Sequence, residues 1–462
     1  MYTSSLVIHV LGLTILSFVS PINAFGFTSY ANVFFAPDHV LNNAWFSDSY
    51  WAAETSEYWA RTLIETGPWS VTNKTILPRS NDTHDYLSYA VYYWPNCSKV
   101  DNTTILTQEQ VWDDCKYYQR DGIFNPDIYD VQNTEAVNNL TDSIYLAAMA
   151  YAATNSSVYA QHINDAINTF FVDPDTMMNP NLEYSQVVRG PGNQTGKHTG
   201  VLDMKVIAKV VSGVELLRAT GASEWSAETD SGLNNWAQNM TNWLETNELA
   251  IEEKSMANNH ATYYYNQLCS LYVLLNETTQ AVSALEEFYN STFLGQIDAN
   301  GDQPLESIRT RPYHYRAYNL AALVTNARIG DHAGLSPSAW NRTTSSGATL
   351  LDALNFAMAQ DPAAHNETDE SMQLNPIIAA VVSVLGDPTG NLTAFIKKTD
   401  PFYPAQPYFA LSEGLSDGGV RQGLIHTTYG PPKAQQTHAA RRLGWAHMNP
   451  RQKLRSHGIG AH

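Results

Sequence analysis

Cysteine is nearly absent from the chain, with only Cys97, Cys115 and Cys269 in 462 residues. So few cannot staple a small coreless domain, and the paired spacing of a zinc site is missing. Basic residues are scarce as well: 26 Lys and Arg against 45 Asp and Glu, a net charge of −19 with histidines neutral. That balance excludes a protein that wraps nucleic acid or lies on an anionic membrane. Beyond the N-terminal segment no apolar run approaches the roughly 18 residues of a membrane span. Hairpin dipeptides and strict apolar–polar alternation are rare, which argues against an all-β fold. What the chain has is 44% hydrophobic residues and 11% aromatics, including 11 Trp and 26 Tyr. Such a composition and length supply one large core or two to three ordinary ones. Exposed rings in this number would suit the faces of sugars, although most rings belong in a core.

The first residues, Met1 to Ala24, read as a signal peptide. An apolar stretch from Leu6 to Val19 precedes Pro21, and Ala24 is a small residue at the cleavage point. Thirteen Asn-x-Ser/Thr sequons follow, at Asn73, Asn81, Asn96, Asn102, Asn139, Asn155, Asn193, Asn239, Asn276, Asn290, Asn341, Asn366 and Asn391. Their density fits a secreted, extracellular glycoprotein carrying N-glycans. In an oxidising compartment Cys97 and Cys115 could close a loop, while Cys269, among Leu268, Leu271, Val273 and Leu274, reads as a buried thiol. From Gly418 to His462 the chain carries seven Lys/Arg, five His and no acid. Residues 416–462 are therefore expected to be a basic, disordered tail.

Between these ends the pattern is helix after helix. Val201 to Ala219 places Leu202, Val206, Val210, Val214 and Leu217 on one face, with Gly221 as a stop. Segments 136–153, 157–171, 233–244, 261–275, 279–288, 315–327, 349–358 and 376–385 behave alike. Thr72 to Asp130 and Tyr184 to Gly200 are the exceptions: polar, aromatic, Gly- and Pro-punctuated connections of the kind that carry function. The expectation is an all-α protein of helical hairpins, a bundle, a solenoid or a toroid. Gly414 to Gly418 matches a Gly-x-Ser-x-Gly elbow, but the strand–turn–helix setting that motif needs is missing.

Three constellations carry candidate chemistry. Asn258-Asn259-His260 opens a predicted helix, where amide and imidazole donors would meet an anion; helix capping is the plain alternative. Glu306 to Tyr318 holds Arg309, Arg311, Tyr313, His314 and Tyr315, so a guanidinium could pair with a carboxylate beside a proton-exchanging phenol. The third is His84 to Pro95 together with Tyr117 to Pro126, where rings crowd a loop that a Cys97–Cys115 bond would brace.

In order along the chain these pieces resemble the alginate-lyase-domain family of polysaccharide lyases, whose secreted fungal branch includes glucuronan lyases. The matching residues are Asp85-Tyr86-Leu87-Ser88 with Tyr93-Trp94-Pro95, Arg120-Asp121-Gly122 with Asn125-Pro126, Gly196-Lys197-His198-Thr199-Gly200, Asn259-His260, and Arg309-Thr310-Arg311-Pro312-Tyr313-His314-Tyr315. The resemblance implies an (α/α) toroid, an incomplete α/α barrel, over residues 25–415. It implies β-elimination on a 1,4-linked β-uronic acid polymer, either polyglucuronate or mannuronate-rich alginate. Asn259, His260 and one of Arg309 and Arg311 would neutralise the substrate carboxylate. Tyr315 would be base at C5 and acid at O4, its pKa lowered by the arginines, with Tyr313 or Tyr318 as the alternative phenol and His314 as a proton partner. Tyr86, Tyr93 and Trp94 would be sugar platforms, and Arg120, Arg189, Lys197, His198, Tyr313 and His314 would complete substrate binding. The partner is an anionic polysaccharide, and no metal or organic cofactor is required. Two rivals remain: an (α/α)-barrel glycoside hydrolase, for which Asp121 and Glu306 are the available carboxylates, and a non-catalytic carbohydrate-binding toroid.

Overall fold

The computed structural model describes residues 33–41, 49–100 and 105–411. The signal peptide, the basic tail and the Gly-x-Ser-x-Gly stretch lie outside these residues.

The principal helices are α1 (Tyr50–Thr66), α2 (Asn133–Thr154), α3 (Ser157–Ile167), α4 (Ile207–Thr220), α5 (Ala227–Thr246), α6 (Glu248–Lys254), α7 (Asn259–Leu274), α8 (Thr278–Tyr289), α9 (Pro312–Ala333), α10 (Leu350–Met358) and α11 (Asn375–Leu385). They form an (α/α) toroid. The inner ring runs α2–α4–α7–α9–α11, each helix packed on the next in space or joined to it through the core. Outer helices α3, α5, α8 and α10 return between them, and α1 packs on α2 and on the C-terminal segment Pro407–Leu411.

Composition explains which helix goes where. Inner helices are buried on nearly every face: in α7 all positions from Ala261 to Leu274 are inaccessible, and in α4 Ile207 to Val214 are. A helix buried on all sides sits between layers, and polar side chains such as Asn266 and Lys209 are then bonded inside the core. Outer helices keep one buried stripe; α8 buries only Ala281, Leu285, Phe288 and Tyr289. Helix ends follow local chemistry. Gly221, with a φ of 62°, ends α4 in the left-handed conformation, and Thr349 caps α10 with a reciprocal bond to Asp352.

Several boundaries differ from the periodic reading; the helix expected at 233–244 runs from Ala227 to Thr246, and two further differences have a local cause. The helix expected from Val201 begins at Ile207, because His198–Met204 forms a tighter 3₁₀ segment. There Gly200 lies against Ser185, and a Cβ on it would come within 2.1 Å of the Ser185 Oγ. The helix expected at 315–327 extends to 312–333, started by Pro312 at its first turn.

The non-helical stretches build short strands above one end of the ring. β1 (Leu87–Tyr89) pairs in parallel with β4 (Tyr184–Val187), and β2 (Tyr93–Asn96) pairs antiparallel with β3 (Lys116–Gln119). The β2–β3 register sets Trp94 opposite Tyr118 and Asn96 opposite Lys116. Cys97 and Cys115 are joined by a disulfide immediately beyond that register, and Cys269 is free and buried. Among the described residues no helix is long and apolar enough to cross a membrane.

One ionic contact ties the inner ring together. Lys209 on α4 donates to Asp142 on α2 at 2.7 Å, both side chains almost fully buried. Removing one partner leaves an uncompensated charge in the core. Asp142→Ala is therefore expected to lower unfolding free energy by about 3–5 kcal/mol, measured by denaturant titration; a loss well under 1 kcal/mol would contradict this.

Candidate functional site

The N-termini of α7 and α9 lie side by side, and each is capped by a carboxylate from elsewhere in the chain. At α7, Asn258 accepts from the His260 backbone N–H, and the buried Glu306 accepts from both Asn259 groups. Its Oε1 takes the Asn259 backbone N–H at 2.8 Å and its Oε2 takes Nδ2 at 2.7 Å. At α9, Glu367 accepts the N–H groups of Tyr313 and His314, each at 2.9 Å. These are the orphan donors that every helix start must satisfy.

Glu306 is three residues before Arg309, so its grip on Asn259 brings the amide–imidazole pair to the arginine–phenol pair. Burial pushes the Glu306 carboxyl upward, opposed by the two Asn259 bonds and by the positive fields of His260 and Arg309. Arg309 lies over the Tyr315 ring, 3.9 Å from its centroid, and donates to the Tyr315 hydroxyl at 2.9 Å. It also pairs with Asp121 at 3.1 Å. The Tyr92 hydroxyl reaches the Tyr315 hydroxyl at 3.1 Å. Gly122, with a φ of 76°, brings the Asp121 loop so close to Thr310 that a Cβ would meet its Oγ1 at 2.5 Å.

Tyr315 is buried, and burial pushes its phenol above the ordinary tyrosine value; Tyr92 adds to that rise and Arg309 opposes it. The arginine field thus acts in the direction expected from the sequence, but desolvation outweighs it.

Arg311 turns away to an ion pair with Glu370 and stands apart from this group. Tyr313 is buried, its hydroxyl on the Ser371 carbonyl at 3.2 Å. His314 shares a hydrogen bond with Gln373 at 3.0 Å and stacks on Tyr318; burial, with help from Arg311, brings its pKa down to about 4. Tyr318 in turn packs on Tyr263, 4.3 Å between centroids.

The platform and cation candidates divide. Lys197 donates to the Tyr93 hydroxyl at 2.7 Å, and Arg120 lies 5.0 Å over the Trp94 ring, all four around the β2–β3 hairpin. Tyr86 is instead in the core, bonded to Thr134 and to the buried Asp203. Arg189 is buried in a cage of Tyr89, Tyr117 and Trp112 and paired with Asp127 at 3.1 Å. His198 meets Glu253 at 2.7 Å, and Glu253 also meets His260 at 2.6 Å. Among the described residues this trio is a group whose metal-capable atoms lie within 4.8 Å of one another. Glu253 and Tyr92 join the site although they are not among the residues to which the sequence points. Tyr92 had a signal, its place in the ring-rich segment before Pro95; Glu253 had none, lying in a run of charge on α6.

The carboxylates that a hydrolase would need are already engaged. Glu306 has both oxygens on Asn259, and Asp121 holds Arg309 and Thr310. Compared with known proteins, this toroid with its paired helix N-termini falls among the polysaccharide lyases. The family model described as alginate lyase matches residues 70–368, and the chain belongs to that family. An alginate lyase from Bacteroides ovatus is similar in structure, with a TM-score of 0.72 at 23% identity over 83% of this chain and 99% of that one. Alginate lyase A1-III from Sphingomonas species A1 gives a TM-score of 0.44 at 15% identity, over 78% and 96% of the two chains. A histidine-to-alanine variant of alginate lyase A1-III, complexed with a tetrasaccharide, gives 0.44 at 16% identity over 74% and 90%. No curated protein compared with the chain matches it.

Because Arg189 fills its own aromatic cage, Arg189→Ala should act on stability rather than on substrate. A loss of about 2 kcal/mol is expected, read as a lower melting temperature, with KM for a uronan unchanged. A raised KM at unchanged stability would place Arg189 in the cleft instead.

Proposed function

We propose that this polysaccharide lyase cleaves 1,4-linked β-uronans, polyglucuronate or mannuronate-rich alginate, by β-elimination. The observation that carries the reading is the Glu306 bridge, which sets Asn259 and His260 beside the Arg309–Tyr315 pair.

The C5–H bond is scarcely acidic next to a carboxylate that already bears a charge. Asn259, His260 and Arg309 would hold that carboxylate and take up the charge that grows on it as the proton leaves, which is worth more in a water-poor cleft than in solution. The C5–H electrons then form the C4–C5 double bond, the C4–O4 bond breaks, and O4 receives a proton. In β-mannuronate and β-glucuronate the C5 proton and O4 lie on one face, so a single phenol can take the first proton and return it. Tyr315 is the phenol beside Arg309. Tyr93, Trp94, Lys197 and Arg120 supply rings and positive charge for neighbouring sugars.

Arg309 reaches a uronate only by sharing or exchanging its present partner, Asp121. The carboxylate of the substrate is an equivalent partner in charge and shape, so the pair presets the guanidinium without committing it.

Export to the extracellular space belongs to the same reading. It is supported by the apolar N-terminal segment, by the disulfide, and by the sequons: apart from the half-buried Asn139, every described sequon asparagine is exposed.

The decisive experiment is a panel of uronans followed in the ultraviolet. Unsaturated products absorb and hydrolysis products do not, so a reducing end without absorbance would overturn the reading. Tyr315→Phe should lower kcat by about 10²–10⁴-fold, and retained activity would remove Tyr315 from the chemistry. The raised phenol pKa also fixes a sign. A base must lose its proton to act, so below that pKa the active fraction grows with pH. On the acid side kcat/KM should rise by about tenfold per pH unit. A profile falling from acid to neutral pH would contradict Tyr315 as the base.

A further inference from the structure

Glu253, at the end of α6, has a fully buried carboxylate. Both of its oxygens are occupied by imidazoles: Oε2 by His198 Nδ1 at 2.7 Å and Oε1 by His260 Nδ1 at 2.6 Å. The two rings stand 5.9 Å apart. His198 opens the 3₁₀ segment after the Lys197 loop and His260 lies in the first turn of α7, so three separate elements meet at one carboxylate. Among the described residues no Lys or Arg pairs with Glu253. A buried carboxylate without a countercharge costs several kcal/mol, so the compensation must come from the imidazoles.

The proton positions follow from what a carboxylate can do. When ionised it only accepts, and each Nδ1 facing it then carries a hydrogen. With Nδ1 so occupied, a neutral His260 has only a lone pair at Nε2 and cannot donate to a substrate carboxylate. To donate there it must carry a proton on both nitrogens. Its ring is partly exposed, and among the described residues nothing bonds Nε2.

We propose that Glu253 is a positioning residue that makes His260 a cationic donor. It holds the ring through Nδ1, turns Nε2 toward the cleft, and provides the buried negative charge that stabilises the imidazolium facing the uronate. His198 is the second arm, fixing the carboxylate plane so that one oxygen is directed at His260; its Nε2 lies 3.4 Å from Glu252 at the surface. This rests on the proposed role of His260 in holding the substrate carboxylate.

The same three side chains present the nitrogen and oxygen donors that zinc accepts. Distance separates the two possibilities. Ligands about 2.0–2.1 Å from a tetrahedral ion stand roughly 3.3 Å apart, whereas 2.6 and 2.7 Å are hydrogen-bond lengths.

The test combines proton spectra with kinetics on the full-length protein. Wild type should show two far-downfield imidazole N–H resonances, and Glu253→Gln should lose at least one, because an amide cannot accept from both rings. In that variant kcat should fall by about 10–10²-fold with KM within about threefold, since the charge matters most as it grows in the transition state. Unchanged kcat, absence of both resonances in wild type, or one equivalent of zinc in the purified protein would each overturn the proposal. Should Glu253→Gln fail to fold, Glu253→Asp keeps the charge but cannot span both rings; full wild-type kcat in it would also overturn the proposal. A wild type that releases no unsaturated uronide would defeat the lyase reading itself, while the two resonances still decide the proton bridge.

Discussion

The site depends on one buried carboxylate. Glu306 closes the start of α7 by accepting both the backbone and the side-chain N–H of Asn259, and it stands one helical turn before Arg309. With the hydrogen bonds of Tyr263 to the Tyr318 carbonyl and of Asn266 to Ala322 and Asn326 further along the two helices, it holds their N-termini in step. The cost is desolvation of an acid, evident in its upward-shifted carboxyl. Two charge-assisted bonds offset that cost. The amide binds this acid directly, the imidazole and guanidinium lend it their fields, and the phenol joins the group through Arg309.

Charge is organised in the same way throughout the cleft. The body is strongly acidic: leaving out residues 418–462, it carries 45 acidic and 19 basic side chains. Yet each cation in the site is held by a carboxylate or a ring rather than left free. Arg309 has Asp121 and Tyr315, Lys197 has Tyr93, Arg120 has Trp94, and the histidines have Glu253. Such pairing keeps long side chains in one rotamer before a polyanion arrives, which lowers the ordering cost of binding.

The helices were legible because inner and outer positions impose different patterns. α8 shows one apolar stripe and α4 shows apolar residues on every face, and both patterns survive in the linear sequence. The early helix start at Val201 was misleading because the same apolar spacing continues through a 3₁₀ segment, where Gly200 must approach Ser185. The Asn259-His260 and Arg309–Tyr315 segments could be picked out from residue type and order. The different settings of Arg309, which lies over Tyr315, and Arg311, which pairs with Glu370 more than fifty residues on, could not. Tyr86 and Arg189 looked like surface binders because aromatic and cationic side chains read the same whether they cover a sugar or fill a cage. Glu253 was invisible because its partners come from two distant segments, and no sequence spacing encodes that meeting.

The most direct measurement is a crystal structure of a Tyr315→Phe variant with a β-uronan tetrasaccharide bound. One uronate carboxylate should lie within hydrogen-bonding reach of Asn259 Nδ2, His260 Nε2 and the Arg309 guanidinium, with C5 facing residue 315. A carboxylate held elsewhere, with Arg309 still closed on Asp121 and no sugar above the α7 and α9 N-termini, would contradict the account.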